Sequence, residues 1–280
     1  MNPIRKIEEN IAKIVVWVAA VIVVAILIFI IGHILIKGVP MLSFSFFTEL
    51  PRNMGREGGV LSTIVGTLLL TLLAVLIAMP FGVGTAFYLC EYTKESIITR
   101  IIRFSAESLA GIPSIVYGLF GFIFFVMSLD FGWSILSGGL TLAFMILPTI
   151  IRTSEEAIRT VPNSYREVSY SLGATKWQTI YKVILPSALS GIANGVVLSI
   201  GRCVAETAAV ILTAGSTLGM PTSIFSPTRS MAVHFYILAR EGISMENAYG
   251  TAALLIIIIF LINVVTNTLV NRYIRKGIKR

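Results

Sequence analysis

Residues 14–36 read IVVWVAAVIVVAILIFIIGHILI, twenty-three positions without Asp, Glu, Lys or Arg. Wound into an α-helix at about 1.5 Å per residue, such a run reaches about 35 Å. That is enough to cross the ~30 Å hydrocarbon core of a bilayer. A cleavable signal sequence has a shorter apolar part, about 7–15 residues, ending at small residues. This run continues instead through His33 to Lys37, so it reads as a retained anchor.

Five further apolar runs follow, at about 60–89, 104–127, 135–151, 187–212 and 251–270. Together they predict an all-α integral membrane protein with six transmembrane helices. Pro80, Pro113 and Pro148 fall within or at the ends of these runs. Neighbouring helices in a membrane can satisfy the carbonyls that such prolines free. Composition agrees: the 280 residues are 56% hydrophobic and 13% charged, with mean hydropathy +0.88. Soluble domains carry about 25% charged residues. The net charge of +8 does not mark a nucleic-acid partner, because the basic residues sit in short stretches between apolar runs. Cys90 and Cys203 lie in or beside those runs without metal-ligand spacing or a disulfide framework, and read as packing residues.

Orientation follows from the same basic residues. With residue 1 inside, sixteen Lys and Arg lie on the cytoplasmic side and five on the other, with Arg202 inside the fifth run. Basic loops stay in the cytoplasm, so both termini and the 152–186 connector are expected there. The domain plan is a cytoplasmic segment 1–13, a first helix and outer loop 14–58, a transmembrane domain 59–272 containing the 153–186 loop, and a basic tail 273–280.

That loop contains PNSYREVSYSLGATKWQTIYKVILP at 162–186. Ser164 with Glu167 three residues on predicts a capping-box start after Pro162. Gly173 ends the helix where a left-handed residue is favoured. Thr175 with Gln178 predicts a second capping box, and Pro186 closes the second helix. Two short helices joined at a glycine leave Tyr165, Val168, Leu172 and Trp177 free to dock on a partner, or form an ordinary structured connector.

In the fifth run, Gly191, Gly195, Ser199, Arg202, Glu206, Ala209 and Thr213 recur at three- and four-residue spacing and are expected to share one helix face. Small residues there allow close backbone approach. An ionisable group within a span costs at least ~2.5 kcal/mol and usually faces a polar interior. Arg202 and Glu206, four apart, can pair. The pair either marks a transport path or only fixes helix packing. The Arg guanidinium is a planar, permanently charged fork that suits phosphate oxygens.

The order Glu167-Val168-Ser169, three residues, Gly173, nine residues, Val183-Ile184-Leu185-Pro186 resembles the "EAA" loop of ABC-importer permeases. Two alanines and an isoleucine of that pattern are replaced here. GIPSIVYGLFG at 111–121 and GRCVAETAAVILTAG at 201–215 resemble the phosphate-transport permeases in particular, with Ala205 where that family has glycine. Residues 59–92 and HFYILAREG at 234–242 look like the PstA type rather than its PstC partner. The resemblance covers about residues 59–272.

It implies a type I ABC importer permease fold with a cytoplasmic coupling-helix loop, in the plasma (inner) membrane of a prokaryote. The loop residues Ser164, Tyr165, Glu167, Leu172, Gly173, Ala174, Thr175, Leu185 and Pro186 would seat on the ATPase. Ser199, Arg202, Glu206 and Thr207 would line the substrate path. Implied partners are a PstC-type permease, a PstB-type ATPase dimer and a PstS-type phosphate-binding protein outside the membrane, besides membrane lipid. The chain has no Gly-x-x-x-x-Gly-Lys-Ser/Thr loop, so ATP and Mg are expected on the ATPase and no cofactor on this chain.

Rival readings are the same machine for another oxyanion or phosphonate, an intramembrane enzyme and a passive channel. The enzyme lacks support, because no Ser–His or paired-Asp arrangement lies in the spans. His33 reads as interfacial and His234 as a loop or pairing residue. Arg100 and Arg103 read as topology signals. Arg229 and Arg240 read as solvated outer charges, or as contacts for an acidic binding protein.

Overall fold

The computed structural model describes the backbone of residues 3–278 and the side chains of residues 10–268. The side chains of the basic tail 273–280 and of residues 1–9 lie outside that range. The long apolar runs form α1 (Pro3–Gly38), α3 (Leu61–Phe87), α6 (Ile135–Arg159), α9 (Leu185–Ala205) and α12 (Met245–Ile278). Between α1 and α3 lie α2 (Phe44–Thr48) and a hairpin of β1 (Pro51–Arg52) and β2 (Glu57–Gly58). The hairpin pairs Pro51 with Gly58 and Arg52 with Glu57. Asn247 holds it down by donating from Nδ2 to the carbonyls of Gly55 and Arg56, each at 2.9 Å.

Two expected spans are broken. The third is α4 (Ile97–Ala110) and α5 (Ser114–Gly121), continued as a π-helix to Ser128, and the two pieces are bent by 100°. Pro113 explains the break: it cannot donate a helical hydrogen bond, and it pushes Ile112 away from helical geometry. The fifth span does not reach residue 212 as one helix. It ends at Ala205, Glu206 turns extended at ψ 131°, and a new turn, α10 (Ala208–Thr213), follows. Pro80 and Pro148, by contrast, lie inside α3 and α6 without interrupting them.

The centre of the bundle is α3 packed along α6, with α9, α5 and α10 closing round α6. Leu70, Ala74, Leu142, Met145, Ile146, Ile150, Val210 and Val233 fill it and are almost wholly buried. Small residues bring the helices together. A Cβ on Gly118 would stand 2.8 Å from the Ala209 Cα, so α5 meets the α10 backbone directly. The helix α1 is peripheral: none of its apolar window is buried, and it runs along α12.

The remaining elements are α7 (Asn163–Ser171) and α8 (Lys176–Thr179) at one end, hereafter the loop end, and α11 (Met231–Arg240) at the other. At α11 one expectation is corrected and one holds, Arg240 being exposed as expected. Arg229 is buried, not solvated; its Nε donates to the Ser216 carbonyl at 2.8 Å, and its Nη1 lies 3.4 Å from Nδ1 of buried His234. Arg240 folds back on its own helix, its guanidinium 5.4 Å from the Tyr236 ring centre. His234 proves to be the pairing residue of the two readings offered for it.

Burial, reinforced by the Arg229 charge, lowers the His234 pKa from 6.5 to about 4, and burial lowers that of Arg229 as well. The histidine is neutral in the fold at pH 7. An unfolded chain takes up a proton at its ordinary value, so this contribution to stability is complete above about pH 6.5 and is lost as pH falls towards 4. Carboxylates also titrate there, so the comparison is with His234→Gln. Thermal unfolding from pH 7.5 to 4.5 is expected to destabilise the parent more than the variant, by on the order of 2 kcal/mol. Parallel pH curves would contradict this.

Candidate functional site

At the loop end, Pro162 itself is the N-cap of α7, with φ −57° and ψ 141°, and no side chain caps the helix. The expected Ser164–Glu167 capping box is therefore absent. Proline with its fixed φ sets the entry geometry, and Ser164 already lies in the first turn. The second box forms as read: the Thr175 hydroxyl accepts from Gln178 N at 3.3 Å, and Gln178 Oε1 accepts from Thr175 N at 2.9 Å. Gly173 has φ 79°. Its N–H reaches the Tyr170 carbonyl at 2.9 Å, and the Ala174 N–H reaches the Ser169 carbonyl at 3.1 Å. This paired closure is the Schellman end of a helix.

The two short helices form one unit. Ser169 and Thr179 share a buried hydroxyl hydrogen bond of 2.8 Å. Chain after Thr179 winds as a π-helix to Ile184 and runs into α9, with Ile180 and Ile184 packed among Ala86, Ala157, Ile158 and Ala188. Leu185 and Pro186 open α9. The outward face is apolar: Leu172 is 83% exposed, with Tyr165, Val168, Trp177 and Tyr181 also more than half exposed. So many large exposed apolar side chains on one short loop mark an interaction surface. Glu167 is exposed beside it and has no ion-pair partner among the described residues.

Two ion-pair nodes beneath this unit escaped the sequence reading. Arg166 donates from Nη2 and Nε to Glu91 Oε1 at 2.7 and 3.0 Å, and from Nη1 to the Val161 carbonyl at 2.8 Å. The Glu91 side chain is only 5% exposed. Glu155 is gripped at 2.7 Å by Arg103 of α4 and at 2.7 Å by Arg159 of its own helix. Arg103 is thus a structural partner rather than only a topology signal. The i, i+4 spacing of Glu155 and Arg159 was the one signal available for these nodes; nothing in the chain order joins Glu91 to Arg166. A groove between α6 and α9, about 380 Å³, adjoins the loop; its lining mixes Thr153, Glu156, Ser190 and Asn194 with apolar Ala157, Ala188 and Leu198. The polar spacing of Ser187, Ser190 and Asn194 was its one sequence signal.

Deeper in the bundle the helices that follow the two breaks pack side by side: α5 lies on α10, with Gly118 against Ala209. Arg202 and Glu206 do not pair, and the residues expected on one face are split between two helices. Glu206 Oε1 instead accepts from Thr207 N at 3.2 Å and Ala209 N at 3.4 Å, capping α10. Released from that pairing, Arg202 is partly buried and has no carboxylate partner among the described residues. At the bend, the Tyr117 hydroxyl donates to the Leu109 carbonyl at 2.8 Å. Thr207 is partly exposed at the gap. Ser199 is buried, with its hydroxyl spent on the Gly195 carbonyl at 2.9 Å, so it faces packing rather than a path. Among the described residues no group of His, Cys, Asp and Glu could hold a metal.

Apolar helices with two internal breaks, and a guanidinium that has no carboxylate partner among the described residues, are the build of a solute-translocating membrane protein. Residues 78–279 match the family described as the binding-protein-dependent transport system inner membrane component, and the chain belongs to that family. It is 34% identical over 275 residues to the probable ABC transporter permease protein YqgI of Bacillus subtilis, covering 92% of this chain and 94% of that one. It is also 34% identical over 232 residues to the phosphate transport system permease protein PstA of Pasteurella multocida, covering 81% and 82%. The fold is shared with a bacterial ABC transporter involved in alginate import, at TM-score 0.65 and 16% identity, covering 95% and 99%. The chain is a multi-pass inner-membrane permease of the type I ABC importer fold.

Proposed function

We propose that the chain is the PstA-type half of the translocation path of an ATP-driven importer of inorganic phosphate. The observation that carries this reading is Arg202, a fork-shaped cation in the last turn of α9 before the break, with no carboxylate partner among the described residues. A phosphate oxyanion supplies that charge, and a guanidinium can meet two of its oxygens at once. The relatives named as phosphate permeases support the same substrate. The partners are a PstC-type permease, an ATPase dimer that binds ATP and Mg, and an extracytoplasmic phosphate-binding protein. Arg202, Glu206 and Thr207 form the break along the path. Tyr165, Leu172, Gly173, Ala174 and Thr175 present the face that seats on the ATPase.

The test is uptake of radiolabelled phosphate by vesicles holding the four-component complex with ATP inside. Uptake is expected to need ATP and the binding protein, and to resist excess sulfate and phosphonate. Phosphate entry without ATP would make the protein a passive channel. Loss of uptake to phosphonate competition would reassign the substrate. The loop end faces the cytoplasm in this reading. Cysteine at Ser164 should label only from that side, and cysteine at Ser226, on the opposite loops, only from outside. Labelling of Ser164 from outside intact cells would reverse the orientation.

A further inference from the structure

The nodes at Glu91 and Glu155 are parts of one chain of contacts that leads away from the loop. Arg166 of α7 holds Glu91, at the π-helical end of α3. Beside Glu91, the Cys90 Sγ meets the Glu155 carbonyl at 3.8 Å. The Glu155 carboxylate holds Arg103 at 2.7 Å, halfway along α4, and Arg103 also reaches exposed Glu95 at 3.3 Å. α4 is then rigidly hydrogen-bonded up to the 100° bend, where Tyr117 of α5 bonds back to the Leu109 carbonyl. Beyond the bend, α5 lies on α10, with Gly118 against Ala209, just past the gap where the helix carrying Arg202 ends. Each polar link is made to a side chain or carbonyl of a different element, and the carboxylates at its two centres are largely withdrawn from water, with side chains 5% and 11% exposed.

We propose that Arg103 and Glu155 form the joint through which the 160–184 loop moves the α4–α5 elbow, which makes them positioning residues for the α9–α10 break that follows Arg202. A helix linked only by apolar contacts can slide. A guanidinium held at 2.7 Å on a shielded carboxylate resists that sliding, so a displacement of α6 is passed to α4 rather than absorbed. The two arginines on one carboxylate oxygen act differently. Arg159 keeps the carboxylate on its own helix, and Arg103 carries the load across. The inference rests on the reading that the loop docks an ATPase.

The test uses the complete four-component complex in vesicles and reads phosphate transported per ATP hydrolysed. Arg103→Gln is expected to assemble and to keep binding-protein-stimulated ATP hydrolysis, while phosphate per ATP falls about tenfold, within the usual range for coupling between sites. Arg103→Lys, which keeps the charge, is expected to recover much of the ratio. A merely structural role predicts the reverse: less complex recovered, with an unchanged ratio. An unchanged ratio in Arg103→Gln would overturn the joint. Leu172→Asp, run in parallel, separates the two inferences. If it leaves ATPase co-purification intact, the docking reading has failed. If it abolishes co-purification while Arg103→Gln transports normally, only the joint has failed. Should Arg103→Gln not assemble, spin labels at Ile98 and Asn163 decide. Their separation is expected to stay constant when ATP binds, and a change would overturn the joint.

Discussion

Arg202→Lys is expected to lower phosphate uptake per assembled complex by about 10–100-fold, with little change in the amount of complex. Lysine keeps one positive charge but replaces a planar fork of five donors with a single ammonium. Losing one charge-assisted hydrogen bond costs about 1.5–3 kcal/mol, and about 1.4 kcal/mol is tenfold in an equilibrium constant. Because Glu206 caps α10 rather than neutralising Arg202, the substitution leaves no carboxylate stranded. A large loss of assembled complex is therefore not expected. The competing idea, that Arg202 only holds helices together, predicts fewer complexes that each transport normally. Uptake divided by the quantity of intact complex separates them, and a wild-type quotient in Arg202→Lys would remove Arg202 from the path.

Gly118→Val is expected to abolish accumulation of folded chain. The added Cβ would stand 2.8 Å from the Ala209 Cα and 2.9 Å from the Leu212 Cδ1. The first of these is backbone, which no rotamer change can move. Valine adds two further methyls, so α5 and α10 must part. Overpacking of a tight core costs about 1–3 kcal/mol and sometimes more, a large share of the marginal stability of a typical domain. Gly118→Ala should give an intermediate yield. Monodisperse protein recovered after detergent extraction measures both, and wild-type recovery of the valine variant would contradict the close α5–α10 contact.

The spans were legible because a bilayer imposes a length and a composition on anything that crosses it, and the runs at 14–36, 60–89 and 251–270 satisfy both within one segment of chain. The glycine turn at 173 and the Thr175 box were legible for the same reason, being settled by residues no more than five apart. The entry to α7 was misread because two local signals competed, and Pro162 displaced Ser164. The gap after Ala205 had no punctuation to betray it: Cys203, Val204, Ala205, Glu206 and Thr207 contain neither glycine nor proline. Glu206 turns out because its carboxylate meets the amides of Thr207 and Ala209, and because α5 occupies the other side of α10. The Arg103–Glu155 and Arg166–Glu91 pairs link residues 52 and 75 positions apart, a distance at which helical periodicity says nothing.

The peripheral setting of α1 has a consequence for how the protein is made. Its neighbour α12 starts at Met245, about two hundred residues after α1 ends at Gly38. At synthesis rates of roughly 5–20 residues per second, α1 emerges some 10–40 s before there is anything for it to lie against. Few helices could wait that long without a chaperone. This one can, because residues 14–31 are apolar all round, and lipid suits every side of them. The surface that the finished bundle leaves uncovered is what lets the first helix stand alone while the rest is built.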